Sequence, residues 1–426
     1  MGAESLVWRK VLTALVLAIA LLTLFAGQVR AELRYVTWVG GASKLLEDEV
    51  VAMFRERYPE IPVDFETLPG GQGNLVQHIL VQTAAGVRID IALTHTHWLQ
   101  TLVDNGLLVD LRPYIERDGV DLSLFPAAVM ESYRGPRGEI FAFPQQWTTI
   151  VLAFNRDVLE RFGVAEPADD WDIFDLEEMG RRLTTSRDGE QIDTWGLRVQ
   201  SLHEYVWRLW GVPFTNEDRT ESGWDDPRAV EAWSWYQELH REPLLNNDYG
   251  AWVNGRTALN LSWPHQLIEN GRAMEDAWDI VLHPKGAHGE RVARAAGAQW
   301  VILKTSPDPD AAWEFIKFMI SQEAQKAYLE RGRGGVQIPA MIEYWVESFD
   351  LSASGITNPR TLLNRQAIVD GYGYASLDRQ PGNWAELLSQ VINPMAARLR
   401  NQEVPAAAAV PEAARQINAL LRELRR

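Results

Sequence analysis

The sequence predicts an α/β protein of two lobes with a cleft between them. Three observations lead there. Short β-type runs alternate with helical periodicity from Leu33 onwards, which implies parallel pairing in an open sheet. The chain of 426 residues exceeds what a single hydrophobic core usually supports. Gly138–Glu160 (GEIFAFPQQWTTIVLAFNRDVLE) reads as one strand arriving, a break at Pro144, and a second, more buried strand from Ile150 to Phe154 that leads to a helix at Arg156–Phe162. A chain that leaves one sheet and enters another crosses between lobes, with Trp147 and Thr148 at the lip.

Taken in order, Leu33–Trp38 alternates and ends in Gly40-Gly41, a strand followed by a glycine-rich loop. Ser43 caps the helix that follows, where Leu45, Leu46, Val50, Met53 and Phe54 recur at helical spacing. Tyr58-Pro59 stops it, and Ile61–Phe65 is the second strand. Gly70-Gly71-Gln72-Gly73 is a turn opening a helix through Leu80, and Arg88–Leu93 is the third strand, ending at Thr94-His95-Thr96-His97. Ligands of open α/β sheets bind beyond the carboxyl ends of the strands. That places Gly40–Ser43, Gly70–Gly73 and Thr94–Trp98 on one rim. Ala258–Leu261 is a further strand, closing at Trp263-Pro264, while Trp233, Trp235 and Trp313 fall inside helical patterns and read as core. Pro405–Pro411 (PAAAAVP) reads as a low-complexity turn ahead of a terminal amphipathic helix.

Before the first strand, Arg9 and Lys10 precede an apolar run from Val11 to Ala26 and then Val29-Arg30-Ala31. This is the layout of a secretory signal cleaved before Glu32, and the run is shorter than the roughly 20 residues of a spanning helix. There is no cysteine, so an oxidising compartment adds no disulfide and no lipid can be attached to an N-terminal thiol. A freely diffusing protein held by an outer wall, in a Gram-negative periplasm, is the expectation. Loss of residues 1–31 removes three of the 41 basic and one of the 58 acidic side chains and leaves a net charge of −19. So acidic a surface repels phosphate backbones, which argues against nucleic-acid binding.

The crossover stretch resembles that of the sugar-binding, maltose-binding-protein-like class of extracellular solute-binding proteins serving ABC importers. There the pattern is roughly Gly-x-Ile-Tyr-x-Phe/Leu-Pro, a site residue, then an apolar strand closing in Tyr-Asn-Lys/Arg-Asp; here Phe154-Asn155-Arg156-Asp157 replaces the Tyr-led ending. Phe54–Pro62, Asp90–Leu111, Trp171–Leu183, Asn254–Trp263 and Gly297–Phe318 resemble further family segments in the family's order. The likeness spans nearly the whole mature chain. It implies a periplasmic-binding-protein fold, with lobe 1 formed by residues 32–143 plus 293–335 and lobe 2 by residues 144–292 plus 336–426. The implied crossovers lie near Phe143, Arg291–Ala296 and Gly335–Pro339. It also implies a non-catalytic monomer, without cofactor or metal, that closes over a sugar and delivers it to an inner-membrane permease.

A sugar presents C–H patches beside dense hydroxyls, so its receptor needs flat apolar faces and planar hydrogen-bonding groups. Trp263, at a strand end before Pro264, matches the family's stacking tryptophan. The candidate contacts are Trp38, Gly41, Ser43, Gln72, His95, Thr96, Gln299 and Arg333, with Trp147, Trp263 and Trp384 closing from the opposite lobe. Core packing is the alternative for the tryptophans, and a solvated loop position for Arg331 and Arg333. An inward arginine there would favour an anionic sugar. His95 and His97 share a face at a strand end with no third ligand nearby, so ligand hydrogen bonding is the better reading than metal. Thiol catalysis is excluded, neither a Gly-x-Ser-x-Gly elbow nor HExxH occurs, and Gly70–Gly73 lacks the Lys-Ser/Thr of a phosphate loop. A secreted glycosidase using paired carboxylates and a receptor for a polyamine or glycerol phosphate are the alternatives.

Overall fold

Leu33–Thr37 (β1), Val63–Thr67 (β2) and Ile91–His95 (β3) pair in parallel with β1 central. The computed structural model describes residues 31–39, 41–69, 71–186, 191–331, 335–376 and 381–423. Residues 1–30 of the expected signal segment, and Arg333, lie outside them. The later strands are Phe143–Thr149 (β4), Val151–Asn155 (β5), Thr185–Ser186 (β6), Ile192–Val199 (β7), Thr257–Ser262 (β8), Trp278–Val281 (β9), Ala293–Ile302 (β10) and Ala375–Ser376 (β11). One sheet runs β11–β10–β3–β1–β2 with β4 on the free side of β10, and the other runs β6–β7–β8–β5–β9. Each carries helices on its faces, as parallel crossovers require, and the result is a two-lobe α/β fold. Among the described residues no helix is long and apolar enough to cross a membrane.

The chain passes between the sheets through the antiparallel pair of β4 and β10. β5 is an uninterrupted apolar run, Val151–Phe154, buried throughout between β8 and β9. The expected break at Pro144 is instead a β-bulge. Pro144 lies opposite Gln299 and Gln146 opposite Ala298, so the register skips Gln145 and β4 continues to Thr149. A proline has no N–H to give to a ladder, and a bulge is one of the few places inside a sheet that tolerates it. The crossing itself is at Ile150, whose N–H donates to the Arg294 carbonyl at 3.1 Å. Gly297 lets the two strands close up, because a Cβ there would overlap the Trp147 indole and the Gln146 carbonyl.

Three other expectations change. The first helix begins at Gly41 and runs to Arg57, so Ser43 sits inside its first turn, not at its cap. Gly71-Gln72-Gly73 is the start of the helix Gly71–Ala84 instead of a preceding turn. The PAAAAVP segment is already helical, with Pro411 inside Ala406–Glu423. Alanine is the strongest helix former, and four in succession together with burial of Ala409, Val410, Ala413 and Ala414 outweigh one lost hydrogen bond.

Two apolar clusters fill the interior. One holds Tyr35, Phe54, Trp300, Trp313 and Phe315 around the first sheet, and the other holds Trp207, Trp224, Trp233 and Trp384 beneath the second. Trp233, Trp235 and Trp313 are core residues, at 0 %, 8 % and 0 % exposure. Each large apolar side chain buried this way stabilises the fold by roughly 1.5–3 kcal/mol.

Candidate functional site

Strand-end residues of both sheets, His95 of the first and Trp263 of the second, lie near one side chain, Arg294. In lobe 1, β1, β2 and β3 end at Thr37, Thr67 and His95. In lobe 2, β7 runs into the tight turn Leu202–Glu204, and β8 ends at Ser262 before Trp263. Arg294, at the start of β10, reaches into this space. Its Nη2 lies 2.5 Å from Glu204 Oε2, and its guanidinium sits 5.2 Å above the Trp263 ring. Both partners of the ion pair are about 15 % exposed, so the attraction works in a medium less screening than water.

His95 ends β3 and caps the helix Thr96–Asp104, its Nδ1 accepting the His97 N–H at 3.4 Å. Burial, the neighbouring His97 and the positive field of Arg294, in that order, hold the His95 imidazole neutral, its pKa pushed well below the ordinary value. With Nδ1 an acceptor, the ring's remaining proton is on Nε2, a single donor for a polar ligand.

Aromatic rings continue from there across the gap. Trp38 meets His95 edge-on at 6.5 Å, His95 stacks on His97 at 4.5 Å, and His97 lies nearly parallel to Trp384 of the other lobe at 6.5 Å. Trp384 is backed by Phe214 at 4.9 Å, and its Nε1 is buried without a partner among the described residues. Beside this ladder the Thr101 hydroxyl donates to the Gly382 carbonyl at 2.6 Å. The lobes therefore touch along one face of the helix Thr96–Asp104.

The adjacent face of that helix borders a cavity of about 220 Å³. Thr96, Leu99, Gln100 and Val103 form one wall, Ser132–Pro136 and Phe141 a second, and Glu217, Asp218 and Arg219 of lobe 2 the third. It shares only Thr96 with the cluster around Arg294 and His95. Among the described residues no group of three or more His, Cys, Asp or Glu is placed to hold a metal ion.

Residues 40–326, about two thirds of the chain, match the family described as bacterial extracellular solute-binding protein. The chain belongs to that family. A binding protein of Brucella abortus (strain 2308) is 21 % identical over 330 residues, covering 72 % of this chain and 76 % of the relative. Two solved structures share the fold at low identity. The sugar-binding protein MalE of Xanthomonas citri is 18 % identical with a TM-score of 0.76, over 93 % of this chain and 98 % of that one. The ABC substrate-binding protein Lmo0181 of Listeria monocytogenes, in complex with cycloalternan, is 20 % identical with a TM-score of 0.71, over 92 % and 98 %.

In this solute-binding protein the candidate residues separate into groups. Trp38, His95, Thr96 and Trp384 come together along the ladder, and Trp263 stands at the opposite strand end beneath Arg294. Gly41 and Ser43 open the helix that follows β1, and Gln72 opens the one that follows β2. Trp147 is 1 % exposed and donates from Nε1 to the Tyr133 hydroxyl at 2.8 Å, inside lobe 1. Gln299 is fully buried, its Nε2 donating to Thr94 Oγ1 at 3.0 Å and its Oε1 without a partner among the described residues. Arg331 pairs at the surface with Glu49 at 2.6 Å. Sequence reasoning missed Arg294 and Glu204. Residue alternation along β10, with Arg294 and Ala296 more exposed than Ala293, Ala295 and Gly297, is the pattern that marks Arg294 as facing out of the core.

Proposed function

We propose that this solute-binding protein is the periplasmic receptor of an ABC importer and captures a saccharide between its lobes. The observation that carries the reading is the pairing of flat aromatic faces with fixed hydrogen-bonding groups where the strand ends meet. Trp263 and the ladder Trp38–His95–His97–Trp384 supply the faces, while Arg294, Glu204 and neutral His95 supply donors and acceptors. Sugars ask for that combination. Gly41, Ser43, Gln72 and Arg333 are further ligand contacts in this scheme. The Arg294 guanidinium is already matched by Glu204, which favours a neutral sugar over an anionic one.

Binding works by closure, without chemistry on the ligand. The lobes (residues 32–143 plus 293–335, and 144–292 plus 336–426) swing about the segments joining them, and the closed shape is what the permease reads. The protein acts as a monomer. The alternative of a hydrolase is separated by one experiment on residues 32–426: a thermal-shift screen against neutral and acidic saccharides, run beside an aryl-glycoside assay. A receptor is stabilised by about 2.7 kcal/mol at a hundredfold excess of ligand over Kd, and it returns the aryl glycoside intact. Turnover, or no stabilisation by any saccharide, overturns the reading.

A further inference from the structure

The second sheet carries a buried polar stripe where an apolar one would serve the fold as well. Along β8, Leu259 and Leu261 pack in the second apolar cluster, while Asn260 and Ser262, both fully buried, point to the opposite face. Arg198 of β7 is the register neighbour of Asn260 and is 5 % exposed, its Nη1 donating to Asn260 Oδ1 at 3.0 Å. Its guanidinium lies 3.5 Å from the ring centre of Tyr249, on the short helix Tyr249–Val253. Arg198 Nε and Asn260 Nδ2 have no hydrogen-bond partner among the described residues. A buried cation and two unpaired donors are costly, and apolar side chains of similar volume are often as stable or more so. Such a stripe asks for a role other than stability.

The Tyr249 hydroxyl shows what the stripe holds. It meets the Ser262 hydroxyl and donates to Gln266 Oε1 at 2.9 Å, so it is bonded on both sides of Trp263-Pro264. Ser262 Oγ in turn donates to Gln200 Oε1 at 3.1 Å, and the Gln200 N–H donates to the Leu261 carbonyl at 3.1 Å. The ends of β7 and β8 are thereby kept side by side up to Ser201. That residue takes a left-handed backbone, φ 53°, and starts the turn Leu202–Glu204. The conformation costs a non-glycine residue energy and persists where its surroundings impose it. One tyrosine hydroxyl thus ties the end of β8, which carries Trp263, to the end of β7, which leads into Glu204. Trp263 and Glu204 are the two partners of Arg294.

We propose that Tyr249 is a positioning residue for the saccharide site, an inference that rests on the saccharide reading above. Through Ser262 and Gln200 its hydroxyl sets Trp263 and Glu204 at the spacing that Arg294 bridges. Arg198, held over the Tyr249 ring by cation–π attraction, fixes the ring that carries this hydroxyl. The buried stripe is therefore the mounting of the stacking face, and its cost in stability is matched by a site formed before the sugar arrives.

The test is titration calorimetry on residues 32–426. Mono-, di- and trisaccharides built on glucose, galactose, mannose and xylose are screened first, and the tightest binder is the probe. Tyr249→Phe keeps the ring for Arg198 and removes only the hydroxyl; it is expected to weaken binding about threefold or more. Ser262→Ala breaks the same chain from the strand side and should weaken binding by a similar factor. In a Trp263→Ala background each factor should fall by at least about half, because the face being positioned is gone. A merely structural role would keep its full factor there. Unchanged affinity in both single variants, or equal factors with and without Trp263, overturns the positioning role while leaving a sugar receptor. Binding of no saccharide by the wild type overturns the saccharide reading itself, and this proposal with it.

Discussion

The Arg294 guanidinium lies 5.2 Å over the face of Trp263 while its Nη2 is held 2.5 Å from Glu204. The cation and the indole are thus one unit, and a sugar stacking at this strand end meets both. Arg294 is itself fixed by the crossover, since its carbonyl accepts from Ile150 N–H and from the Thr149 hydroxyl. Trp263→Ala is expected to weaken saccharide binding by about tenfold or more, the loss of an aromatic face being worth on the order of 1–3 kcal/mol. Arg294→Ala should cost as much, and the double variant less than the sum, because each residue positions the other. Calorimetry on the four proteins of that cycle decides it, and additive losses would show that the two act separately.

A second expectation concerns the place where the crossover strands touch. A Cβ on Gly297 would overlap the Trp147 indole and also the Gln146 carbonyl. The indole is wedged against Tyr133, and the carbonyl belongs to the neighbouring strand, so neither can yield cheaply. Gly297→Ala should lower stability by about 1–3 kcal/mol in urea denaturation, the usual cost of overpacking. Stability equal to wild type would mean that the strands separate more easily than their spacing suggests.

The fold was legible where local pattern and tertiary role coincide. β1, the helix after it and β5 follow from the periodicity of Leu33–Phe54 and Val151–Phe154, because Leu33, Tyr35, Leu46, Val50, Phe54 and Val151–Phe154 face the core, although Leu45, at 71 % exposure, does not. Pro144 misled, since its bulge exists only by virtue of Gln299 opposite, a partner far along the chain. Gln299 itself reads as a strand-end polar residue; yet β10 runs antiparallel to β3, so Gln299 lies opposite Thr94, one step deeper than the rim pair of Ala298 and His95. His95 could be placed at a strand end and Trp384 near the family's C-terminal segment, but their meeting through His97 is a tertiary contact that no local pattern carries. Arg294 and Glu204 are meaningful only as a pair, and nothing local to RVARAAGA or SLHEY announces it.

Glu47 gives a pH dependence with a definite sign. It is 1 % exposed and accepts from the Tyr35 hydroxyl at 2.5 Å, the Tyr328 hydroxyl at 2.8 Å and Gln145 Nε2 at 2.8 Å, with no cation bonded to it among the described residues. Burial, opposed by these hydrogen bonds, raises its pKa from 4.5 to about 7. The folded protein therefore holds a proton that the unfolded chain releases above its ordinary carboxylate range. The stability Glu47 contributes is fully present below pH 4.5 and is lost as pH rises through about 7. The loss is on the order of 2–3 kcal/mol. Urea unfolding at pH 5 and pH 8 should show Glu47→Gln losing less stability than wild type over that interval by roughly this amount, and an identical loss in both proteins would count against the assignment.

The contact between lobes yields the last expectation. Thr101 donates to the Gly382 carbonyl at 2.6 Å, and a Cβ on Gly382 would stand 2.7 Å from Asp104 Oδ2 and 3.7 Å from the Thr101 Cα. The space between the helix Thr96–Asp104 and residues 382–384 is therefore only as wide as a glycine. Thr101 is half-buried on a helix surface, so Thr101→Arg leaves the folding of lobe 1 intact but props the lobes apart. Apparent affinity scales with the fraction of molecules able to close. A wedge that cuts this fraction to about a tenth weakens binding about tenfold, with little change in urea stability. Small-angle scattering should show the liganded variant retaining the larger radius of gyration of an open molecule. A liganded variant as compact as liganded wild type would mean that closure does not pass through this contact.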